Sequence, residues 1–257
     1  MMHYSNWKAA HDGVTGWFSD MSAGIVDAFL DYQDQKGIPG DLMEIGVAHG
    51  RSASLINLHA RTREHFIAVD CNAPLLEEAA ALLRGQGTGQ VIVHGCDSQA
   101  LPAEDFRQGC VRFMHIDGDH GRGALLNDLT IADQVVGPEG LLVLDDFLAP
   151  QYLAATAGVF EWLTLHPKRF EMVLAGHNKA YLARPEAARD YLFFIRDQLP
   201  AQLRARGTTD FTFWRMAEPE DWRGFGVAGR QWNRDFVGLR EDVNEPERPA
   251  AERFAIF

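Results

Sequence analysis

The fold is indicated most clearly by the segment Glu44-Ile45-Gly46-Val47-Ala48-His49-Gly50-Arg51-Ser52. This segment follows a short apolar run and leads into apolar residues at helical spacing, a pattern that is typical of a strand, a tight turn and a helix. Gly46 and Gly50 are spaced GxxxG, not GxGxxG, and glycines here let the backbone approach a ligand closely at the N-terminus of the helix. We therefore predict a strand over Asp41–Ile45, a ligand-binding turn and a helix from about Arg51.

Strand and helix patterns alternate on both sides of this turn. Ser19 is predicted to cap an earlier helix, and later helices are predicted from about 51, from about 74 and around 125–136, with strands at 66–69, 91–93, 111–116 and 141–144. Such alternation favours a doubly wound parallel sheet. Segments 170–174 and 179–183 flank a Gly-His-Asn turn and predict a terminal hairpin. The expected fold class is α/β, with a Rossmann-like, mostly parallel seven-stranded sheet.

The chain is expected to divide into three parts. Residues 1–39 form an N-terminal helical segment that serves as a lid or a subunit contact, residues 40–184 form the ligand-binding core, and residues 185–257 form a C-terminal extension packed on the core. This extension begins with a helix from Pro185 to about Arg206. The Trp- and Arg-rich stretch 214–234 fits a lid, a subunit contact or core packing, and its pattern does not decide between them.

Composition narrows the range of partners. Of 257 residues 46% are hydrophobic, which is ample for a packed core, and 24 Lys plus Arg against 36 Asp plus Glu give a net charge of −12. This charge repels phosphate backbones and anionic membranes, so we expect a small-molecule partner and neither nucleic acid nor membrane. The sequence has no signal-peptide pattern, no apolar run of the roughly 18 residues that span a bilayer, and no CxxC pair among its three cysteines. We expect a cytoplasmic homo-oligomer with reduced, buried cysteines.

Polar residues at the ends of the second and third predicted strands indicate a nucleoside. Asp70 ends the second strand about 20 residues past Gly50, where a carboxylate can accept two hydrogen bonds from a ribose diol. The third strand leads to Asp97-Ser98, a polar turn that can hold an adenine amino group. A glycine turn alone is weak evidence, because strand-to-helix turns often need glycine only for packing. The glycine turn, Asp70 and Asp97-Ser98 follow three successive predicted strands. Together they predict a nucleoside-containing cofactor.

Two further motifs are more specific. They are His115-Ile116-Asp117-Gly118-Asp119-His120 and Leu142-Val143-Leu144-Asp145-Asp146-Phe147. From about Gly40 to Ala183 the sequence resembles the Rossmann-like class I S-adenosylmethionine-dependent methyltransferases, whose first motif is an acid with GxxxG and whose second strand ends in an acid. The IDGDH segment and the later DD pair look like the macrocin O-methyltransferase group, metal-dependent enzymes that methylate sugar hydroxyls on natural products.

The resemblance implies roles for particular residues. Magnesium would be held by Asp117, Asp145 and Asp146. Asp119 matches the general base proposed in some members, and His120 matches a base in others that have DxxH. The residues implied in S-adenosylmethionine binding, by the resemblance or by their place at the strand ends, are Glu44, Gly46, Gly50, Ser52, Asp70, Asp97, Ser98 and Asp117.

Electrostatics independently favours a cation among these acids. Two carboxylates about 4 Å apart repel by roughly 4 kcal/mol at an effective dielectric of 20. Neither motif contains Lys or Arg, so something else positive should sit there. An all-oxygen ligand set suits Mg²⁺, Mn²⁺ or Ca²⁺ better than zinc. Helix capping would explain a single aspartate but not four that cluster.

The choice of base is open between Asp119 and His120. On a two-residue spacing Asp117 and Asp119 tend to point the same way, so Asp119 would face the acceptor, and on this ground it is favoured. Against it, a carboxylate near a metal ion has a lowered pKa, whereas a neutral imidazole is better matched to pH 7.

Two other functions remain as alternatives. An NAD-dependent oxidoreductase would share the fold and Asp70, but it would need the GxGxxG turn and would not need three clustered aspartates. A non-catalytic ligand-binding module with a degenerate site is the other. The sequence does not select the acceptor among nucleotide sugars, glycosylated antibiotics and catechol-like phenols.

Overall fold

The computed structural model describes residues 2–11, 13–101, 108–215 and 224–229. Its helices are α1 (Met2–His11), α2 (Asp20–Lys36), α3 (Arg51–Asn57), α4 (Ala73–Arg84), α5 (Arg122–Val135), α6 (Leu153–Leu165), α7 (Pro185–Asp197) and α8 (Leu199–Ala205), with one 3-10 turn at Ser98–Ala100. Its strands are β1 (Asp41–Ile45), β2 (His65–Val69), β3 (Gln90–His94), β4 (Val111–Ile116), β5 (Val136–Asp145), β6 (Glu171–Gly176), β7 (Lys179–Ala183), β8 (Thr212–Arg215) and β9 (Phe225–Ala228).

The strands form one sheet in the order β3-β2-β1-β4-β5-β7-β6-β9-β8. Strands β1 to β5 are parallel, and β7 is antiparallel to both β5 and β6. The α/β class, the parallel half and the hairpin are therefore as predicted. The strand number is a correction, because β9 pairs in parallel with β6 and β8 pairs with β9, so the described sheet has nine strands.

Apolar side chains cover both faces of this sheet. Strand β4 is buried along its whole length, as expected for a parallel strand with helices on both sides. On one face α2 contributes Ile25 and Phe29 to a core cluster shared with α3, α7 and α8. On the other face α5 and α6 contribute Leu129 and Trp162. The two layers of helices leave the carboxyl ends of the parallel strands as the edge where a site can form.

The segment after residue 185 differs from the prediction in two ways. The single predicted helix is two helices, α7 and α8, and Pro200 lies in the first turn of α8, where its missing N–H is tolerated. Strands β8 and β9 extend the central sheet, and each has only four residues, which is short for a sequence pattern to reveal. Most of the stretch 214–234, including residues 216–223 and 230–234, lies outside the described residues.

The N-terminal helices pack against the core beside the turn after β1. In α1, Trp7 donates its indole N–H to both the Arg51 carbonyl, at 3.1 Å, and the Ser54 hydroxyl, at 3.0 Å. Ser19 caps α2 as predicted, by accepting a hydrogen bond from the Ser22 N–H at 3.1 Å. The Ser22 hydroxyl donates to the His177 carbonyl at 3.2 Å and so ties α2 to the β6–β7 hairpin.

Buried charges fix α2 to the rest of the molecule. His59 donates from one ring nitrogen to Asp27, at 2.9 Å, and from the other to Asp34, at 2.8 Å. Burial alone would lower the pKa of His59, but these two carboxylates outweigh it and raise the pKa. Arg206 pairs with Asp27 and Arg112 with Asp34, so each carboxylate that holds His59 also contacts an arginine.

The described residues also bear on the predictions about membrane-spanning segments and cysteines. No helix among the described residues has the length and apolarity to cross a bilayer. Cys110 is buried as expected, but Cys71 is exposed, and all three cysteines are free.

Candidate active site

The acidic motifs meet at the edge where the parallel strands end. Asp117 follows β4, Asp145 ends β5, and these two strands are neighbours, with Ile116 opposite Leu144. The antiparallel β7 starts at this same edge, where Lys179 is paired with Asp145. The topology therefore brings side chains from β4, β5 and the β6–β7 hairpin together.

The glycine turn after β1 is pressed against the acidic motif. Gly46 has φ +86°, and a Cβ at this position would lie 1.9 Å from the carbonyl oxygen of Asp117. The Asp117 N–H also donates to the Ile45 carbonyl at 2.8 Å. Only glycine can occupy position 46 without moving the backbone. Gly50 has φ +83° and caps α3, and Ser52 lies buried in the first turn of that helix.

Asp70 joins the glycine turn to the end of β2. One carboxylate oxygen accepts a hydrogen bond from the Ala48 N–H, and the other accepts one from the Asn72 N–H, each at 2.8 Å. Each oxygen of a carboxylate can accept a further hydrogen bond. The carboxylate is thus held rigidly beside the turn with acceptor capacity left, as binding of a ribose diol requires.

A buried carboxyl of α5, which the sequence did not predict as part of the site, lies beside the polar turn after β3. Asp97 is exposed and caps the 3-10 turn by accepting from the Gln99 N–H at 2.9 Å. Ser98 lies beside Asp128 of α5, whose Oδ1 accepts a hydrogen bond from Asn127 Nδ2 at 3.3 Å. Burial raises the pKa of Asp128 to about 6, and its Oδ2 atom has no hydrogen-bond partner. A single Asp within a helical apolar repeat gave no signal of this contact.

Asp117 is the centre of the acidic group. It belongs to two sets whose ligand atoms lie within 4.8 Å of one another, one with His115 and Asp145 and one with His120 and Asp146. Burial, followed by the charge of Asp145, raises the pKa of Asp117 to about 8. Among the described residues its carboxyl has no hydrogen-bond partner. A divalent cation would lower the pKa of Asp117 and would give its carboxylate a partner. This set of donor atoms therefore fits a metal ion.

Asp145 is neutralised by cations of the protein itself. Its Oδ2 contacts the ammonium of Lys179 and lies 3.6 Å from His115 Nε2, beyond hydrogen-bond distance. Burial would raise the pKa of Asp145, but His115 and Lys179 outweigh it and hold the pKa well below its usual range. Neither acidic motif contains Lys or Arg, as the sequence shows, and Lys179 of the hairpin is the cation that reaches Asp145.

Glu44 and His115 lie beneath the site. Glu44 has no exposed surface, and its Oε1 accepts a hydrogen bond from His115 Nδ1 at 2.6 Å. Burial alone would lower the pKa of His115, but the carboxylates of Asp145 and Glu44 raise it to about 9. The expected contact of Glu44 with the cofactor stays a prediction, although its side chain has no exposed surface in this structure. Glu44 supports the strand ends through a charged His115.

Asp146 orients His120. Asp146 has φ +53°, and its two carboxylate oxygens pair with the side chains of His120 and Asn178. The His120 ring also stacks on Tyr152, with ring centroids 3.9 Å apart and an interplanar angle of 16°. His120 is therefore held from two sides beside the acidic group.

Asp119 does not face Asp117. It is exposed, and its Oδ1 accepts a hydrogen bond from the Gly121 N–H at 2.6 Å, just before α5 begins. It is in neither of the two metal-ligand sets. The two-residue alternation fails here because β4 has already ended at Ile116 and the chain turns.

The family model described as a methyltransferase domain matches residues 43–147. This range begins in β1, contains the glycine turn and Asp70, and ends just after Asp145 and Asp146. These residues are similar to a methyltransferase domain. The matched range includes every acidic residue of the site, while Lys179 lies outside it. No curated protein is detectably similar in sequence.

Solved structures of methyltransferases share the fold of this chain. The O-methyltransferase NovP is 16% identical, with 63% of this chain and 80% of that chain covered and a TM-score of 0.53. The SAH-bound methyltransferase PaMTH1 of Podospora anserina is 14% identical, with 71% and 86% covered and a TM-score of 0.51. An O-methyltransferase from Bacillus cereus in complex with SAH is 12% identical, with 71% and 90% covered and a TM-score of 0.51. The resemblance to class I methyltransferases is confirmed at the level of the fold.

Proposed function

We propose that this chain is an S-adenosylmethionine-dependent, divalent-metal-dependent O-methyltransferase that acts on a hydroxyl group of a small molecule, a sugar or a glycosylated natural product. The position and surroundings of Asp117 support this proposal most strongly. Its carboxyl has no hydrogen-bond partner among the described residues and lies where two ligand sets meet, and its backbone carbonyl lies against Gly46 of the glycine turn. Cofactor and metal sites that share one residue suit the transfer of a group between neighbouring ligands.

The cofactor-binding residues would act mainly by positioning. The backbone of Gly46 and Gly50 gives close approach, Asp70 would accept from the ribose hydroxyls, and Asp97 with Ser98 would border the adenine. S-adenosylmethionine, when bound, supplies an electrophilic methyl group. The SAH in two structural neighbours is in line with this choice of cofactor.

The metal-binding residues would be Asp117, Asp145 and Asp146, a carboxylate set that suits Mg²⁺ or Mn²⁺. A divalent ion, when bound, stabilises negative charge that develops on the acceptor oxygen. His120, which is oriented by Asp146 and Tyr152, would remove the proton of the acceptor hydroxyl. Asp119 would stabilise the start of α5. We prefer His120 as the base because Asp119 is bound to its own turn.

The alternatives account for less of this geometry. An NAD-dependent oxidoreductase would use Asp70, but it gives no reason for an unpartnered Asp117 among two further aspartates. A non-catalytic module would not need a histidine oriented from two sides. The small-molecule acceptor agrees with the net charge of −12, and assembly into a homo-oligomer stays a prediction.

Chelation tests the proposal. Release of S-adenosylhomocysteine with a panel of nucleotide sugars, glycosylated antibiotics and catechols is expected to stop in EDTA and to return when Mg²⁺ is added. Asp145→Ala and Asp146→Ala should each raise the Mg²⁺ concentration for half-maximal rate by about tenfold or more, because each removes one oxygen ligand. Asp41 is the first residue of β1 and lies at the end of the strand away from the site. The Asp41→Ala variant is therefore the control and should behave as wild type. Full turnover after rigorous chelation would contradict the metal dependence.

A further inference from the structure

Lys179 is a buried cation that the proposed mechanism does not use. Its side chain is 3% exposed, and its ammonium contacts Asp145 Oδ2. The pairing is built into the sheet, since Lys179 on β7 is in antiparallel register with Asp145 on β5. The ammonium also lies 5.3 Å from the centroid of the Phe18 ring, just before α2. A buried lysine is uncommon unless it is paired, and here the pair is one of the proposed metal ligands.

Asp145 is surrounded by groups of the protein that already contact its carboxylate. Asp145 lies between Lys179, whose ammonium it contacts, and His115, whose other ring nitrogen is hydrogen-bonded to Glu44. Asp145 Oδ1 accepts from the Asp146 N–H at 2.8 Å and faces Asn178 Nδ2 at 3.4 Å. Both oxygens of Asp145 are therefore engaged before any ion arrives, whereas Asp117 is not.

We propose that Lys179 is a resident cation that competes with the divalent ion for Asp145 and so lowers the metal affinity of the site. This inference rests on the proposed metal-dependent function. In the metal-free protein the ammonium balances the buried Asp145. When an ion binds, it must share Asp145 with a positive charge beside it, which weakens binding by Coulomb repulsion.

A purely structural Lys179 predicts the opposite result. If the lysine served only to hold Asp145 in place, its removal would loosen a ligand and weaken metal binding. If it competes with the ion, its removal leaves a buried carboxylate uncompensated, and an ion then binds more tightly. The direction of the change in affinity therefore separates a competing cation from a scaffold.

The experiment is a calorimetric titration of the full chain with Mn²⁺. Lys179→Met removes the charge and keeps the side chain long and apolar, and Lys179→Gln removes the charge but keeps a donor for Asp145 if the methionine variant does not fold. Each neutral variant is expected to bind Mn²⁺ about tenfold or more tightly than wild type and to gain more thermal stability on adding it. Lys179→Arg should remain near wild type, and Lys36→Met at the end of α2 is the surface control.

The outcomes separate this inference from the proposed function. Unchanged or weaker Mn²⁺ binding in folded Lys179→Met and Lys179→Gln, with wild type binding one ion, would overturn the role of Lys179 and leave the metal-dependent function standing. Absence of Mn²⁺ binding in wild type and in every variant would refute the metal dependence, and this inference with it.

Discussion

An alanine at position 46 is expected to lower the free energy of unfolding by about 4 kcal/mol or more. Gly46 has φ +86°, which a residue with a Cβ adopts only under strain, and its Cβ would lie 1.9 Å from the Asp117 carbonyl oxygen. Backbone meets backbone here, so no side-chain rotation can relieve the overlap. The measurement is urea unfolding followed by circular dichroism, with Gly46→Ala compared with wild type.

Gly13→Ala is the matched control. A Cβ at Gly13 would have no atom within 4 Å, so this substitution should change stability by less than about 1 kcal/mol. A Gly46→Ala protein as stable as the Gly13→Ala protein would show that the turn after β1 does not press on Asp117 as described.

The second large effect is expected at His120. His120→Ala should lower kcat by about a hundredfold, the size typical of losing general base catalysis. Asp119→Asn should change kcat by less than about threefold, because the asparagine Oδ1 can still accept from the Gly121 N–H. Both variants are measured at saturating cofactor and metal, with acceptor and metal affinities determined separately.

The reverse pattern would exchange the two roles. A severe loss in Asp119→Asn with a nearly silent His120→Ala would make Asp119 the base, and the turn that holds Asp119 would then have to open when the acceptor binds.

The order of strands up to the β6–β7 hairpin could be predicted because its signals are local. Each parallel strand is a short apolar run followed by a helix with its own spacing, and the crossover between them follows from chain geometry. Strands β8 and β9 could not be predicted, since each has four residues and their place beside β6 depends on long-range pairing. The break between α7 and α8 did have a signal, because Pro200 cannot continue a helix at low energy.

The candidate site was predicted where it depends on residues that directly follow strands. Asp70, Asp117, Asp145 and Asp146 lie at the carboxyl edge for this reason. Lys179 was missed because its position depends on antiparallel register with β5, although a lysine at the start of a hairpin strand beside β5 was a usable signal. The predicted orientation of the Asp119 side chain was wrong, because the alternation of side chains along a strand does not extend into the turn after β4.

A calorimetric titration of the chain with S-adenosylmethionine, beside a titration with NAD, tests the proposed cofactor directly. We expect one binding site for S-adenosylmethionine and no heat of binding for NAD. Asp70→Ala should weaken S-adenosylmethionine binding by about tenfold to a hundredfold, as expected for lost hydrogen bonds to a charged group. Asp41→Ala, which also loses a hydrogen bond from a backbone N–H but at the end of β1 away from the site, should bind as wild type does. Binding of NAD without binding of S-adenosylmethionine, or equal affinity in a folded Asp70→Ala protein, would contradict the proposed cofactor site.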